Sequence, residues 1–545
     1  MTAVETQLTM GRSTSYNLAG QTADIEKTMA PSTLDLLFLT FNCAKNLIDV
    51  GVFSSHLHGA LSQNAAGLPD LVAFSLQEVA PISYAFIGSY FLSPYYARYE
   101  EALNLASARL LATSSAEGAN GGPEYAAQST PSAMTPRPYT MVRAKNVGMT
   151  ALLLFARDPA AIQSIEEAEA GFGAADMGNK GAVALRVTWG EPGQHELGRT
   201  TEVTLVATHL AAMEWNLKKR NANWRTIMSS LTFANPRAAL PGLFAADNTA
   251  PTPDRSGVGG NKLAADSSES SEAEPDEDDT PLLNTAGDRP LTPEQRATLQ
   301  DLSIFKPTSH LFVAGDLNYR IGSTTPSPLA PFPSFDPTSE HYYPKFLPRD
   351  QLTQERLAGR AFHGMTEAPI TFGPTYKYNI LRSADGADNA ASVRRGTAPN
   401  GIPEVPWRFA SHRWPGWCDR VLYLDLPAWV QGKNKAIEVK AYDSLPVVRT
   451  SDHRAVFFRA SIPIVSAEDM LSPSAKAALA AAESDPRCAP PVAVDVHAWE
   501  RRAAARQKEV AVGWSAFFWS TKEGAVVLAT LFALSLGVWW FWTCW

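Results

Sequence analysis

The sequence predicts a layered α/β domain followed by a single membrane-spanning helix. Three observations predict it. Short apolar runs rich in β-formers recur from residue 34 to residue 459, with helical stretches between them. Polar residues of catalytic type stand at the ends of those runs, and Gly524 to Trp545 carries no charge at all. The runs are Leu34–Phe41, Leu71–Leu76, Thr150–Ala156, Gly181–Thr188, Val203–Thr208, Leu311–Ala314, Val421–Leu424 and Ala455–Arg459. Apolar runs this continuous read as strands covered on both faces. Tyr95–Ala112, Ala211–Leu231 and Arg349–Ala361 read as helices, and the mixture places one α/β domain over residues 34–461.

Residues 1–33 are polar and unpatterned and read as a disordered N-terminal segment. Three inserts interrupt the domain and read as surface loops or disorder. They are a Ser/Gly/Pro/Ala-rich stretch at 113–138, an acidic stretch at 236–300 and a Gly/Ala/Asn-rich stretch at 382–402. Residues 462–523 are Ala/Pro-rich, with helix-compatible pieces at Ala467–Glu483 and Val496–Val510. They read as a spacer, which if flexible would have an r.m.s. span of about 40–47 Å.

The net charge of −8 is local in origin. Eight acids and no base lie between Asp266 and Asp279, and the rest of the chain is neutral. A nucleic-acid binder needs a basic excess, so no nucleic-acid partner is expected. The four cysteines, Cys43, Cys418, Cys488 and Cys544, form no ligand-spaced cluster, which excludes a disulfide framework or structural zinc. The 22 uncharged residues from Gly524 span about 33 Å as a helix, enough for a bilayer core of about 30 Å. Trp539, Trp540, Trp542 and Trp545 cluster as interfacial aromatics do. No basic, apolar leader opens the chain. The expected arrangement is a tail anchor with everything before Lys522 in the cytosol. The absence of basic residues after the span favours the endoplasmic reticulum over the outer mitochondrial membrane.

The strand ends carry the chemistry. Asn42 follows LDLLFLTF, Gln77 and Glu78 follow LVAFSL, and His209 follows VTLVAT. Asp316 and Asn318 lie in VAGDLNYRI, and Asp452 and His453 lie in TSDHRAVFF. In layered α/β folds, side chains at strand ends build the site. Glu78, Asn42 and Asp452 offer hard oxygen ligands, and so few carboxylates suit Mg²⁺ with retained waters. His209 and His453 can donate to a phosphoryl oxygen, while Asp316 can orient or deprotonate a water; together these describe metal-assisted hydrolysis of a phosphate ester. ITFGPTYKYN presents Tyr376 and Lys377. HRWPGWCDRVLYL brings Arg413 and Arg420 beside Trp417 and Asp419, adding cations that bind phosphate. Asp419 could hold His453 in the right tautomer.

The segments TFNCAKN, SLQE, MGNKGAV, ATHLAA with KRNANW, GDLNYRI, FGPTYKY, RWPGWCDRVL and SDHRAVF together resemble the inositol-polyphosphate 5-phosphatases. These are magnesium-dependent members of the endonuclease/exonuclease/phosphatase superfamily. GDLN and SDH occur throughout that superfamily, whereas PTYKY with WCDR resembles the 5-phosphatases specifically. The resemblance runs from about Leu34 to Ala460 and implies a four-layer α/β sandwich. It implies Glu78 as principal metal ligand supported by Asn42, with Asp452 near the metal. Asp316 would activate the water, with Asn318 steadying it. His209 and His453 would donate to the scissile phosphate, with Asp419 paired to His453. Asn179, Lys180, Arg220 and Asn221 fall on positions that shape the pocket, and Tyr376, Lys377 and Arg413 on positions that grip the neighbouring 4-phosphate.

Two positions depart from the family pattern. Met213 replaces a polar pocket residue, and Ser411 replaces a frequent Lys beside the clamp. One catalytic domain plus an anchor is similar to the family's tail-anchored endoplasmic-reticulum member in yeast. The expected activity is therefore Mg²⁺-dependent removal of the 5-phosphate of phosphatidylinositol 4,5-bisphosphate at a cytosol-facing membrane. The alternatives are a phosphatase of soluble inositol polyphosphates and a catalytically inactive, membrane-anchored adaptor that binds phosphoinositides. An intact Glu78, Asp316 and His453 set argues against the adaptor, since binding needs no water-activating acid.

Overall fold

Period-two burial decides the architecture. In the first strand, β1 (Thr33–Asn42), Leu34, Leu36 and Phe38 enter one apolar core while Leu37, Leu39 and Phe41 enter another. A strand covered on both faces must lie between two layers. The computed structural model describes residues 33–65, 67–118, 136–190, 200–241, 291–381, 405–431 and 435–545.

The remaining strands are β2 (Leu71–Gln77), β3 (Thr140–Val147), β4 (Thr150–Ala156), β5 (Ile162–Gly171), β6 (Gly181–Gly190), β7 (Thr200–His209) and β8 (Ser309–Asp316). They continue with β9 (Met365–Thr366), β10 (Tyr378–Ile380), β11 (Trp407–Phe409), β12 (Asp419–Leu424), β13 (Glu438–Ser444) and β14 (Val456–Pro463). They form two six-stranded sheets, ordered β13-β14-β1-β2-β4-β3 and β5-β6-β7-β8-β12-β9, with β10-β11 as a separate pair. The largest core lies between the sheets and joins Phe38, Ala73 and Phe458 to Val187, Leu205 and Phe312. Helices Val50–Ser62 and Ser93–Gly118 cover the first sheet through Phe53, Leu57, Tyr99 and Leu103. Helices Leu217–Ser230 and Gln351–Leu357 cover the second through Trp224, Ile227, Met228 and Leu352. The result is the expected four-layer α/β sandwich.

Every strand expected from the sequence is present. The helix expected at Ala211–Leu231 starts later, at Leu217, because the buried Arg220 guanidinium binds the carbonyls of Ala211, Met213 and Glu214 and keeps that stretch a loop. The helix expected at Arg349–Ala361 shrinks to Gln351–Leu357, opened by the Asp350 side chain accepting from Thr353 N.

The expected acidic insert at 236–300 is too long at its end. Pro293–Leu302 is a helix closed by a reciprocal Thr292–Gln295 capping box, with Leu299 buried. The expected loop at 113–138 likewise loses its first residues to the helix ending at Gly118. The acidic insert also starts with a short helix, Pro236–Ala239, while residues 119–135, 242–290 (including the run Asp266–Asp279), 382–402 and 1–32 lie outside the described residues.

Residues 462–523 depart most from the sequence expectation. The helix Ala498–Ser520 is docked on the domain instead of spanning free space. Arg506 caps the helix Ile82–Ile87 by donating to Phe86 O at 2.6 Å and Ile87 O at 3.1 Å. Trp499 Nε1 donates to Thr232 Oγ1 at 2.9 Å, and Phe517 is buried against Phe91 with ring centroids 5.3 Å apart. After Thr521 the chain bends into Lys522–Cys544, which is long and apolar enough to cross a membrane. A Cβ at Gly524 would lie 2.1 Å from Phe517 O, so only glycine lets the two helices meet this closely.

Candidate active site

Strand register builds the site. His209 ends β7 and Asp316 ends β8, and the two are paired across the parallel ladder. Asp419 opens β12 opposite Asp316. Three neighbouring strands thus deliver His209, Asp316 and Asp419 in one row at one edge of the second sheet. The first sheet supplies the facing row, with Asn42 ending β1 beside Gln77, which ends β2. Ser75 Oγ bridges the sheets by donating to Ala314 O at 2.9 Å.

Asp316 is the centre and is buried. Its Oδ2 accepts from Asn42 Nδ2 at 3.0 Å and lies 3.3 Å from His209 Nε2 and 3.9 Å from His453 Nε2. Its Oδ1 accepts from Asn318 N at 3.1 Å. Burial opposes a charge here, but His453, His209 and Lys180 outweigh it and hold the carboxyl well below the usual range, so Asp316 is ionised. Asn318 sits in the left-handed region at φ 57°; its side chain donates to Leu210 O at 3.1 Å and accepts from Arg320. Both ends of the Asn318 amide thus help shape this loop.

His453 Nδ1 lies 2.8 Å from Asp419 Oδ2, and Thr375 Oγ1 donates to the same oxygen at 2.7 Å. Burial disfavours a charged ring, but Asp419, Asp316 and Asp452 reverse this and raise His453 to about 9. Burial also lifts the Asp419 carboxyl above its ordinary range, against the pull of His453. The proton of the pair stays on the imidazole, leaving Nε2–H free to donate. Asp316, Asp419 and His453 offer ligand atoms within 4.8 Å of one another. His453 Nδ1 and Asp419 Oδ2 already hold a proton between them, while Asp419 Oδ1 has no hydrogen-bond partner among the described residues.

Lys180 Nζ lies 2.5 Å from His209 Nε2. Burial lowers Lys180 to about 8, against the charges of Asp316 and Glu78, and burial with Lys180 keeps His209 below its usual range. Glu78 adopts φ 46° at the end of β2, a costly conformation that turns its carboxylate out of the ladder. Burial opposes its charge too, but His209, Lys180, Lys45 and His453 hold it ionised, with Lys45 Nζ at 3.4 Å. Glu78 and Asp316 thus share one set of cations. Two ionised carboxylates and the Asn42 amide make a hard-oxygen donor set without a thiolate, since burial pushes the Cys43 thiol up to about 12. That set fits Mg²⁺.

Tyr376, Lys377 and Arg413 form a rim. The Tyr376 ring lies 4.5 Å from the His453 ring, and Arg320 stands over its face at 4.5 Å. Arg413 is 3.6 Å from the buried Glu214, and its Nη2 donates to Met213 Sδ at 3.3 Å. The Met213 departure therefore faces the clamp, while Ser411 is exposed beside it.

Several sequence expectations need correction. Asp452 ion-pairs with Lys377 at 3.3 Å on this rim. Arg220 is buried and spent on backbone carbonyls and Gln351. Asn221 binds Glu355 at 2.7 Å and Tyr319 at 2.8 Å. Arg220 thereby braces the 211–214 loop from behind, and Asn221 ties its helix to Glu355 and Tyr319. Arg420 turns away to pair with Asp350 and Glu367. The Asn179 side chain packs onto Gly173, where a Cβ would lie 1.6 Å from its Oδ1. Conversely, Arg320, Thr375 and Lys45 belong to the site although the sequence reading gave them no role. Each lies inside a quoted segment, so the signal was adjacency.

Residues 39–459 match the family described as "Endonuclease/Exonuclease/phosphatase family 2". Among relatives, the chain is 26% identical over 305 residues to Type II inositol polyphosphate 5-phosphatase 15 of Arabidopsis thaliana, covering 55% of this chain and 22% of the relative. It is also 26% identical over 312 residues to the Type II inositol 1,4,5-trisphosphate 5-phosphatase of Mus musculus, covering 57% of this chain and 21% of that one. The chain thus spans about a fifth of the length of these curated relatives. A solved structure of the inositol polyphosphate 5-phosphatase domain of SPsynaptojanin, with inositol (1,4)-bisphosphate and calcium ion, is similar at TM-score 0.46 and 18% identity, over 90% of this chain and 98% of that one. With its motif residues gathered at one edge of two facing sheets and the family match running over most of its length, the chain belongs to the endonuclease/exonuclease/phosphatase family 2.

Proposed function

We propose that this protein is a phosphoinositide 5-phosphatase, held to a cytosol-facing membrane, that removes the 5-phosphate of phosphatidylinositol 4,5-bisphosphate. The observation that carries the reading is the buried Asp316 carboxyl set between Asn42 at 3.0 Å, His209 at 3.3 Å and His453 at 3.9 Å. A binding module has no use for that arrangement. Asp316 orients the attacking water and takes its proton. His453 donates Nε2–H to a phosphoryl oxygen, and Asp419 keeps that proton in place. Lys180 adds positive charge beside the His209 ring, where the transferring phosphoryl group becomes more negative. Glu78 and Asn42 would hold Mg²⁺, which when bound supplies further neutralisation of phosphoryl charge. Lys377 and Arg413 sit one rim away, where a neighbouring phosphate would be gripped.

The helix Lys522–Cys544 supports a lipid substrate, because its length and apolarity suit a bilayer core. We place the protein in the endoplasmic reticulum, from the uncharged character of the residues after Glu523. The test is phosphate release, with and without Mg²⁺, by the full chain in nanodiscs. The panel holds phosphatidylinositol 4,5-bisphosphate, the 3,4,5-trisphosphate, the 3,5-bisphosphate and soluble inositol 1,4,5-trisphosphate. Release that depends on Mg²⁺ and is fastest from the 4,5-bisphosphate is expected. Preference for the soluble trisphosphate would replace the lipid assignment, and no release from any of them would sink the phosphatase reading.

A further inference from the structure

We propose that Glu509 is a positioning residue for this active site, fixing the Gly178–Lys180 loop from the helix that leads into the candidate membrane span. The proposal rests on the phosphatase reading above.

Glu509 is fully buried, in a stretch whose sequence reads as a spacer. A carboxylate taken wholly out of water needs strong partners. It has Arg502 at 2.6 and 2.9 Å and Arg506 at 3.2 Å, both on its own helix. Its remaining partner is the backbone N–H of Gly178 at 2.8 Å. That bond leaves the helix and enters the loop between β5 and β6, two residues from Lys180.

The loop has little freedom on its other side. Met149 N donates to Gly178 O at 3.0 Å, and a Cβ on Gly178 would lie 2.6 Å from Val147 Cγ1 and 2.7 Å from Gly148 N. Phe172 N donates to Lys180 O at 3.0 Å. Arg502 also reaches Glu169 on β5 at 3.1 Å, so the helix holds the strand as well as the loop it feeds. Gly178 is therefore pressed between the β3–β4 turn and Glu509.

The helix is docked by apolar contacts as well as by this carboxylate. Gly513 against Phe86 and Phe517 against Phe91 already bury apolar surface. A buried acid aimed at one backbone N–H fixes a position, and the position it fixes sets where Lys180 Nζ meets His209. A misplacement of about 1 Å at such a group costs about 10²-fold in rate.

The experiment uses the full chain in nanodiscs with soluble inositol 1,4,5-trisphosphate as probe, and amide exchange of residues 172–181 as a second readout. Glu509→Ala should lower kcat at least about tenfold with KM within about threefold, the split expected when a transition-state contact is lost. The same variant should exchange the 172–181 amides at least about tenfold faster. Glu509→Gln keeps an oxygen for Gly178 N–H and should recover kcat to within about threefold of wild type. Trp499→Ala loosens the other end of the same helix from Thr232 and should lower Tm while leaving kcat unchanged. If Glu509→Ala does not fold, Glu509→Asp takes its place, one methylene too short to reach, with the same expected losses. Unchanged exchange at 172–181 would overturn the proposal, as would an equal kcat loss in Trp499→Ala or no recovery in Glu509→Gln. If the wild-type chain hydrolyses no phosphate ester, the phosphatase reading falls separately, and the exchange arm alone decides whether Glu509 fixes the loop.

Discussion

Asp419→Asn should reshape the pH profile of hydrolysis more than abolish it. Asp419 Oδ2 lies 2.8 Å from His453 Nδ1, with both groups buried. Burial alone would push the ring toward neutrality; Asp419, ahead of Asp316 and Asp452, raises it from 6.5 to about 9. At pH 7.5 a group at 9 is about 97% protonated, and one returned to 6.5 is about 9% protonated. In the proposed mechanism the protonated ring is the donor, so lowering its pKa removes activity from the alkaline side inward. The expected loss is about tenfold at pH 7.5, shrinking to near parity by about pH 5.5, where the ring charges without help. Lys180, lowered to about 8 mainly by burial, contributes its own alkaline step in both proteins. The substitution therefore shows as a new step at or below about 6.5. The assay is kcat/KM for soluble inositol 1,4,5-trisphosphate across that range at saturating Mg²⁺. An equal loss at every pH, or an alkaline limb that does not move, would refute the role given to Asp419.

Three further outcomes are expected. Glu78→Gln should raise the Mg²⁺ concentration for half-maximal activity, because charge is lost at nearly constant shape; an unchanged titration would place the metal elsewhere. Stability should fall between pH 7 and 5 by about 2 kcal/mol for each of two buried imidazoles, His310 and His56, lowered mainly by burial to about 3 and about 4. Both folded values lie below the ordinary 6.5, so the unfolded chain takes up protons first; stability is full above 6.5 and is lost as pH falls. Urea denaturation at several pH values checks this, and His310→Leu should lose about half of the slope. Excision of residues 245–289 spares the Thr292 cap and should leave Tm and soluble-substrate turnover unchanged, because so acidic and apolar-poor a stretch cannot add to a core. A large drop in Tm would show that it packs on the domain.

The strands that were legible are those buried on both faces, since β1, β2, β4 and β6 to β8 spell themselves as unbroken apolar runs. The four edge strands, β3, β5, β9 and β13, were not. In β3 and β5 the outward positions carry Arg143, Lys145 and Glu167, which pair across the joint between the sheets at 3.0 Å. Their polarity is satisfied by each other, and a sequence window cannot see that partner. The site followed the same logic. Asp316, His209, His453, Asp419 and Asn42 end or precede apolar runs, and ladder register then forces them together. Arg220, Asn221 and Arg420 have the residue types of phosphate binders, but their direction depends on loops whose carbonyls and acids claim them first.

The juxtamembrane stretch was illegible for a different reason, and the difference changes how the protein meets its substrate. Ala-rich composition with Arg and Glu interspersed reads as a solvated helix, because the sequence does not say that Glu509 turns inward with Arg502 and Arg506. Once that cluster is buried, residues 498–520 cease to be a tether. A flexible spacer over the whole of residues 462–523 would let the domain sample a shell of about 40–47 Å. A docked helix, bent at Thr521 and closed by Gly524 against Phe517, instead leaves the start of Lys522–Cys544 against the domain. Tethering by a flexible chain raises the effective concentration of a surface substrate but leaves the approach angle to chance. Under the proposed membrane attachment, a rigid junction trades that reach for a fixed orientation of the domain, settled before the substrate arrives. Lengthening the junction with flexible residues after Thr521 should therefore slow turnover of membrane-bound phosphatidylinositol 4,5-bisphosphate while leaving soluble inositol 1,4,5-trisphosphate untouched. Equal rates on both substrates would show that the junction acts only as a leash.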